Sequence, residues 1–387
     1  MAVDLLDFKA DLSHISPTFW VLLGDAASKA EQISAAPLLP EVRAKMHLVY
    51  LIRGVRATTA IEGNTLTEDE VRRQIERSLD LPPSREYLGR EIDNIVRAIN
   101  ALVEEPRQQN VSLDDLCRYN AMVLEGLEVA EGVFPGQLRT INVGVASYRC
   151  PDFQKVPELT LAFVDWFNRF PIAFFERMET QTAVIKAVLT HLYFVLIHPF
   201  GDGNGRTGRF LEWRVLDHAG IPTAATHLLS NHYNQTRAEY YRQLEKVSKT
   251  GELADFLEYA VRGFVDQLSE QLEFIKQQQY QLAYLRHVHE AFTGDKSQTG
   301  QRRRELAVAI QAAPEPVEAA SMRTLSSSLA QAYGAKTNKT ITRDLNALLD
   351  ANLIIQLPEG KFASTIDRSV FRHVRKRVLR GASSVRS

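Results

Sequence analysis

Between residues 41 and 62 the apolar positions Val42, Met46, Val49, Leu51, Ile52 and Val55 recur at close to a 3.6-residue period, which predicts an amphipathic helix. Gly63 is a suitable C-terminal stop for it. Thr67 and Glu70 have the spacing of a capping box and open a helix over 68–79, which Pro82-Pro83 breaks. Helices are expected again at 84–104, 112–125, 155–169, 180–197, 205–219 and 236–248, and as one helix or two over 251–290. In 180–197 the residues Ala183, Val184, Ala187, Val188, Leu192 and Val195 form one apolar stripe. Residues 133–150 differ. Phe134-Pro135-Gly136 is a turn signal, and the β-branched run after it predicts a short hairpin over 137–149. The first 40 residues read as a short lead-in.

The polar, glycine-containing stretch 291–302 reads as a linker. After it, helices are expected at 303–312, 325–333 and 337–351. Strands then flank the turn Pro358-Glu359-Gly360. Three helices and a hairpin are the layout of a winged helix-turn-helix, assigned here to 303–375. The expected class is therefore mainly α: a helical bundle with a small β-hairpin flap, then a winged-helix domain. The bundle divides into an N-terminal region, 1–110, and a core, 111–290.

Composition changes this picture little. Apolar residues at 45% and charged residues at 24% exclude disorder as the main state. No apolar run approaches the ~20 residues of a membrane helix; the longest candidate, 191–200, carries His191 and His198. The N-terminus has acids where a secretion signal carries basic residues. The two cysteines, Cys117 and Cys150, support neither a disulfide framework nor a zinc ribbon, and a cytoplasmic location is expected. Charge is uneven. From residue 302 onward there are 15 basic and 7 acidic residues, although the whole chain has a net charge of -1. Every charged residue after Asp367 is basic, including the tail 376–387, and such a segment attracts polyanions.

The candidate chemistry lies in residues 198–209, His-Pro-Phe-Gly-Asp-Gly-Asn-Gly-Arg-Thr-Gly-Arg. A long apolar helix stops at Pro199, and a new one starts near Gly205. Glycines let backbone N–H groups converge, and the new helix adds its positive dipole end, so the loop is an anion cradle. Arg206 and Arg209 lie three apart and face one polyanion. Asp202 is a hard oxygen ligand suited to Mg²⁺ held together with substrate phosphates. His198 at the rim can accept a proton near neutral pH.

This run resembles the Fic motif, H-x-F-x-[D/E]-G-N-G-R-x-x-R, at every defined position. The resemblance implies a Fic-fold bundle that transfers AMP from ATP to a protein hydroxyl. His198 would be the base and Phe200 the core anchor. Asp202 would hold Mg²⁺, and Gly203, Asn204 and Gly205 would form the anion hole. Arg206 and Arg209 would hold the phosphates. The flap would pair with an extended target segment by strand addition. Asn231, Tyr233, Tyr240 and Tyr241 fall where relatives line the nucleobase pocket; Tyr240 and Tyr241 are adjacent on a helix, so one is expected to face the site and the other the core. Thr58-Thr59-Ala60-Ile61-Glu62-Gly63-Asn64 resembles the family's inhibitory motif. Glu62 would then pair with Arg209 and keep it from the γ-phosphate, and in some relatives the same glutamate supports removal of AMP. Relatives also suggest a homo-oligomer.

In the last domain, Lys336, Lys339 and Arg343 can meet phosphates, and Asn338 or Thr342 base edges. Asp344 and Asp350 on the same helix oppose that, and winged helices also bind proteins. DNA through 325–362 and a protein partner both stay open. Two rivals to AMP transfer remain: transfer of another nucleotide or removal of AMP at the same site, and a DNA-binding regulator whose core only senses ATP.

Overall fold

Within residues 1–40, read as a lead-in, the sequence folds into a 19-residue helix, α1 (Pro17–Ala35). Ser16 caps it by accepting from the Phe19 N–H at 3.3 Å, and Phe19, Leu23, Ala26, Ala30 and Ile33 form its buried face at helical spacing. The structure, a computed structural model, describes residues 4–10, 12, 15–106, 110–145, 148–170 and 178–365. They fall into two units, Met1–Glu273 and Phe274–Ser387.

In the first unit α2 (Pro40–Ala60) ends where the sequence places its stop: Gly63 has φ 108°, a conformation open to glycine. The Thr67–Glu70 capping box forms and opens α3 (Glu68–Ile75). After the proline break come α4 (Glu86–Glu104) and α5 (Leu113–Leu124), the latter with a second capping box between Ser112 and Asp115. Strands β1 (Gly144–Val145) and β2 (Tyr148–Arg149) pair antiparallel, Gly144 opposite Arg149. The hairpin expected over 137–149 is thus confined to its tip. Residues 138–139 instead run beside the loop 198–209, with a bridge between Leu138 and Phe200 and the Arg139 N–H donating to the Pro199 carbonyl at 3.0 Å.

Helices α6 (Val156–Arg169), α7 (Glu179–Ile197) and α8 (Asn204–His218) follow. They lead to a short α9 (Leu228–Gln235), which the periodicity does not reveal, and to α10 (Arg237–Thr250). The expected single stripe on α7 is too narrow. The helix is buried on nearly every side, from Thr182 to Ile197, as a helix apolar all round must be. By length and composition α7 can cross a membrane, but 83% of its most apolar stretch is buried inside this domain. It packs most extensively on α8, while α2 packs on α9, α3 and α4. The residues between α7 and α8 are therefore the turn at the centre of the bundle.

Helix α11 (Ala254–Ala291) is one unbroken helix of 38 residues. Phe256, Leu257, Val261 and Phe264 belong to the core of the first unit, and Tyr284 and Val288 to that of the second. The stretch 291–302 is only partly a linker: Ser297 caps α12 (Gln298–Ala312), which starts five residues before the expected domain edge. In the second unit β3 (Val317–Glu318), α13 (Ser327–Tyr333), α14 (Asn338–Asp350), β4 (Ile354–Gln356) and β5 (Lys361–Ser364) complete the chain. The sheet is antiparallel in the order β3-β5-β4, one strand more than the expected hairpin. Leu306, Ile310, Leu329, Tyr333, Leu345, Leu348 and Phe362 pack as its core. The end of the domain expected at 303–375 and the basic tail 376–387 lie outside the described residues.

Candidate active site

Where α7 ends, His198 adopts φ 52°, ψ 60°, a left-handed conformation rare outside glycine. This turns the chain sharply off the helix, and His198 lines a cavity of about 320 Å³. Its Nδ1 lies 3.2 Å from the Val195 carbonyl. A proton on Nδ1 completes that contact and leaves the Nε2 lone pair as the acceptor. Burial holds the imidazole below its usual pKa, so it is neutral at neutral pH.

The loop is braced from both sides. The Asn204 side chain accepts from the Phe200 N–H at 2.9 Å and donates to the Phe200 carbonyl at 2.8 Å. Phe200 is 1% exposed, the core anchor expected of it. Gly203 takes φ 75° at the start of α8, a position that disfavours any side chain. Two supports escaped the sequence reading. Asn120 donates to the Asp202 carbonyl at 2.9 Å and accepts from the Gly136 N–H at 2.9 Å. Arg139 donates to the carbonyls of His198, Ile141 and Pro151 at 2.7, 2.8 and 2.6 Å. Asn120 had a signal, a polar residue inside the stripe Leu116, Tyr119, Val123. Arg139 had none, being one basic residue in a β-branched run.

Both arginines of the motif are buried, Arg206 at 6% and Arg209 at 2% exposure. Each meets a carboxylate. Arg209 donates to Glu62 Oε1 at 2.6 Å, and also to the hydroxyl and the carbonyl of Thr58, each at 2.9 Å. Thr58 and Glu62 thus reach the loop from the end of α2. Burial pulls the Glu62 pKa upward, but the Arg209 guanidinium outweighs it and holds the carboxyl below its ordinary value. A Cβ at Gly205 would meet Glu62 Oε1, so any larger residue here displaces the Glu62 carboxylate. Arg206 donates to Glu91 Oε1 at 2.8 Å and lies 3.4 Å from Asp202 Oδ1.

Glu62, His198, Gly205, Arg209, Tyr240 and Tyr241 all line the cavity, with Val145 and Tyr148 of the flap strands. Tyr240 and Tyr241 face it together, against the expectation that only one would: Tyr240 is 2% exposed beneath it, and Tyr241 reaches the Ile61 carbonyl at 3.3 Å. The other two expected nucleobase residues are elsewhere. Tyr233 is fully buried, packed against both His191 and Tyr240, with its hydroxyl on Glu212 at 2.9 Å. Asn231 is buried and donates to Gln267. Both serve the core beneath the site, because α9 turns them toward α8 and α11. Asp202 stands at the loop with its side chain 46% exposed. Among the described residues no cluster of three or more metal-ligating side chains exists. A single exposed carboxylate beside a phosphate cradle nevertheless fits Mg²⁺, which takes one or two carboxylates and the rest of its oxygens from phosphates and water.

A helical domain that closes a glycine-rich loop around a histidine defines the class of site: an anion cradle at a helix N-terminus. Residues 110–216 match the Fic/DOC family. The chain is 30% identical over 226 residues to protein adenylyltransferase fic-1 of Caenorhabditis elegans, covering 57% of this chain and 41% of that protein. It is 28% identical over 211 residues to protein adenylyltransferase Fic of Nematostella vectensis, covering 53% and 45%. The chain thus spans less than half the length of these curated relatives. The fold is also that of a Fic family protein from Desulfovibrio desulfuricans G20, with a TM-score of 0.56, 20% identity, and 91% and 97% of the two chains covered. A fragment of Fic-1 from C. elegans gives 0.53 at 24% identity, covering 67% and 73%.

Proposed function

We propose that this chain is a protein adenylyltransferase that transfers AMP from ATP to a protein hydroxyl and is held inactive by Glu62. The observation that carries this reading is the Glu62–Arg209 pair inside the His198 cavity. The target hydroxyl loses its proton to His198 Nε2 as its oxygen bonds to the α-phosphorus of ATP. The bond from that phosphorus to the β-phosphate oxygen breaks, and pyrophosphate leaves. Gly203, Asn204 and Gly205 offer backbone N–H groups, and Arg206 and Arg209 offer guanidinium groups, to the charge that develops. Asp202 is the residue that would hold Mg²⁺, which neutralises phosphate charge when bound. With Arg209 committed to Glu62, the γ-phosphate has no partner, and positioning is most of the catalysis in such transfers.

Intact-mass spectrometry of wild-type and Glu62→Gly protein after incubation with MgATP tests this. One added AMP, more abundant in the variant, is expected. If neither protein gains mass, and labelled ATP transfers nothing to lysate proteins in the presence of the variant, the reading fails.

A second reading concerns residues 303–365, which we propose act as a winged helix that binds DNA. Asp344, which on sequence grounds opposed this, is turned inward and 1% exposed, while Lys336, Lys339, Thr342 and Arg343 are exposed. Asn338 is engaged by Arg323 at 3.0 Å, which leaves Thr342 to reach base edges. Binding to duplex DNA that weakens with salt, and weakens further in Lys339→Ala, is expected; no binding to duplex DNA at low salt would overturn this reading in favour of a protein partner.

A further inference from the structure

The two motif arginines are held by two different kinds of acid. Glu62 sits on the turn after α2 with its side chain 32% exposed. Glu91 sits in the second turn of α4, 13% exposed, and grips Arg206. Arg206 Nε is buried with no partner among the described residues. The plane of its guanidinium is therefore set at its two terminal nitrogens, by Glu91 on one and Asp202 on the other.

Glu91 is itself fixed. Asn64 Nδ2 donates to Glu91 Oε2 at 2.8 Å and to the Leu88 carbonyl at 2.9 Å, while its Oδ1 accepts from the Leu66 N–H at 3.0 Å. Asn64 is 7% exposed, and its own N–H donates to the Thr59 carbonyl at 3.1 Å. A chain of hydrogen bonds therefore runs from α2 through Asn64 and Glu91 to Arg206. Glu62 can swing away on its turn; Glu91 is anchored in a helix and by a second donor.

We propose that Glu91 is a positioning residue: it holds Arg206 in the orientation that grips the nucleotide phosphates, with Asn64 fixing Glu91. Glu91 thus supports the active state, whereas Glu62, bound to the neighbouring arginine, blocks it. This rests on the adenylyl-transfer reading above.

The sign of one effect separates positioning from plain charge. Glu91 is an anion near the phosphate site, so removing its charge without any positioning role would tighten binding of a polyanion. Loss of positioning weakens it. The test uses the full chain carrying Glu62→Gly and His198→Ala, so that binding is measured without transfer. Adding Glu91→Gln is expected to weaken MgATP binding by calorimetry about tenfold, the worth of one charge-assisted hydrogen bond. Binding of adenosine, which has no phosphate, is expected to stay unchanged, both ligands being measured well below the melting temperature of the variant, which loses one side of a buried pair. Asn64→Ala is expected to act in the same direction, less strongly. MgATP binding that is unchanged or tighter in Glu91→Gln overturns the proposal, as does an equal loss of ATP and adenosine. If the chain with Glu91 intact binds no MgATP, the adenylyl-transfer reading fails first and the proposal falls with it.

Discussion

Two arginine–carboxylate clusters, one in each unit, look alike on paper and are built for different ends. In the second unit Asp344 is 1% exposed and takes Arg302 at 2.7 Å, Arg303 at 2.8 Å and the Tyr333 hydroxyl at 2.9 Å. Those three donors hold its carboxyl below the ordinary value although burial pushes it up. In the first unit Glu62 has one side-chain donor, Arg209, and is a third exposed. Arg209 in turn keeps two bonds to Thr58 when Glu62 leaves. The difference lies in what the partner loses. Removing Asp344 strands two cations and a hydroxyl; removing Glu62 strands no group that lacks another partner. The first arrangement is structural and the second can be released.

The sharpest test of this contrast is chemical. His198→Ala in the Glu62→Gly background is expected to cut AMP transfer about 10²–10⁴-fold, the worth of a general base, with MgATP binding retained in calorimetry. Transfer at the undiminished rate would remove His198 from the mechanism. Next comes stability. Asp344→Ala is expected to destabilise the second unit by about 3–5 kcal/mol in a denaturant titration, since it breaks a buried pair on one side. Glu62→Gly, by contrast, is expected to cost less, because Arg209 keeps its two bonds to Thr58. Equal costs would erase the distinction between the two clusters.

The smallest effect is pH-dependent and concerns a third carboxyl. Glu212 lies fully buried under the site, and burial raises its pKa to about 8. In the unfolded chain it ionises near the ordinary carboxylate value, so between there and pH 8 the folded state binds the extra proton. Stability contributed by this group is therefore lost as pH rises through that window. Glu212→Gln removes the penalty. Its melting temperature relative to wild type is expected to be higher at pH 8 than at pH 5; a constant gap would mean that Glu212 is ionised in the fold.

Much of the site was legible because it is local. The loop 198–209 carries His198, the glycines, Asp202 and two arginines in one run, and their positions follow from one helix ending and the next beginning. Caps were equally plain: Thr67 with Glu70, and Gly63 as a stop. The aromatic wall of the cavity was less so. Tyr233 and Tyr240 are both buried aromatics, and only the packing of α9 and α10 puts Tyr240 at the cavity and Tyr233 behind it. The supports Asn120, Arg139 and Glu91 act from other elements, and no spacing rule connects them to the loop.

By itself the sequence determined the mainly helical class, most helix boundaries and the glycine-rich turn at residues 198–209, all of which depend on contacts a few residues apart. Tertiary structure decided that α7 is buried on nearly every side, that Glu62 meets Arg209 across 147 residues, and that Glu91 meets Arg206. The reason is physical. Backbone hydrogen bonds and caps are set by neighbours along the chain, whereas the partner of a buried charge is set by which helix faces pack together.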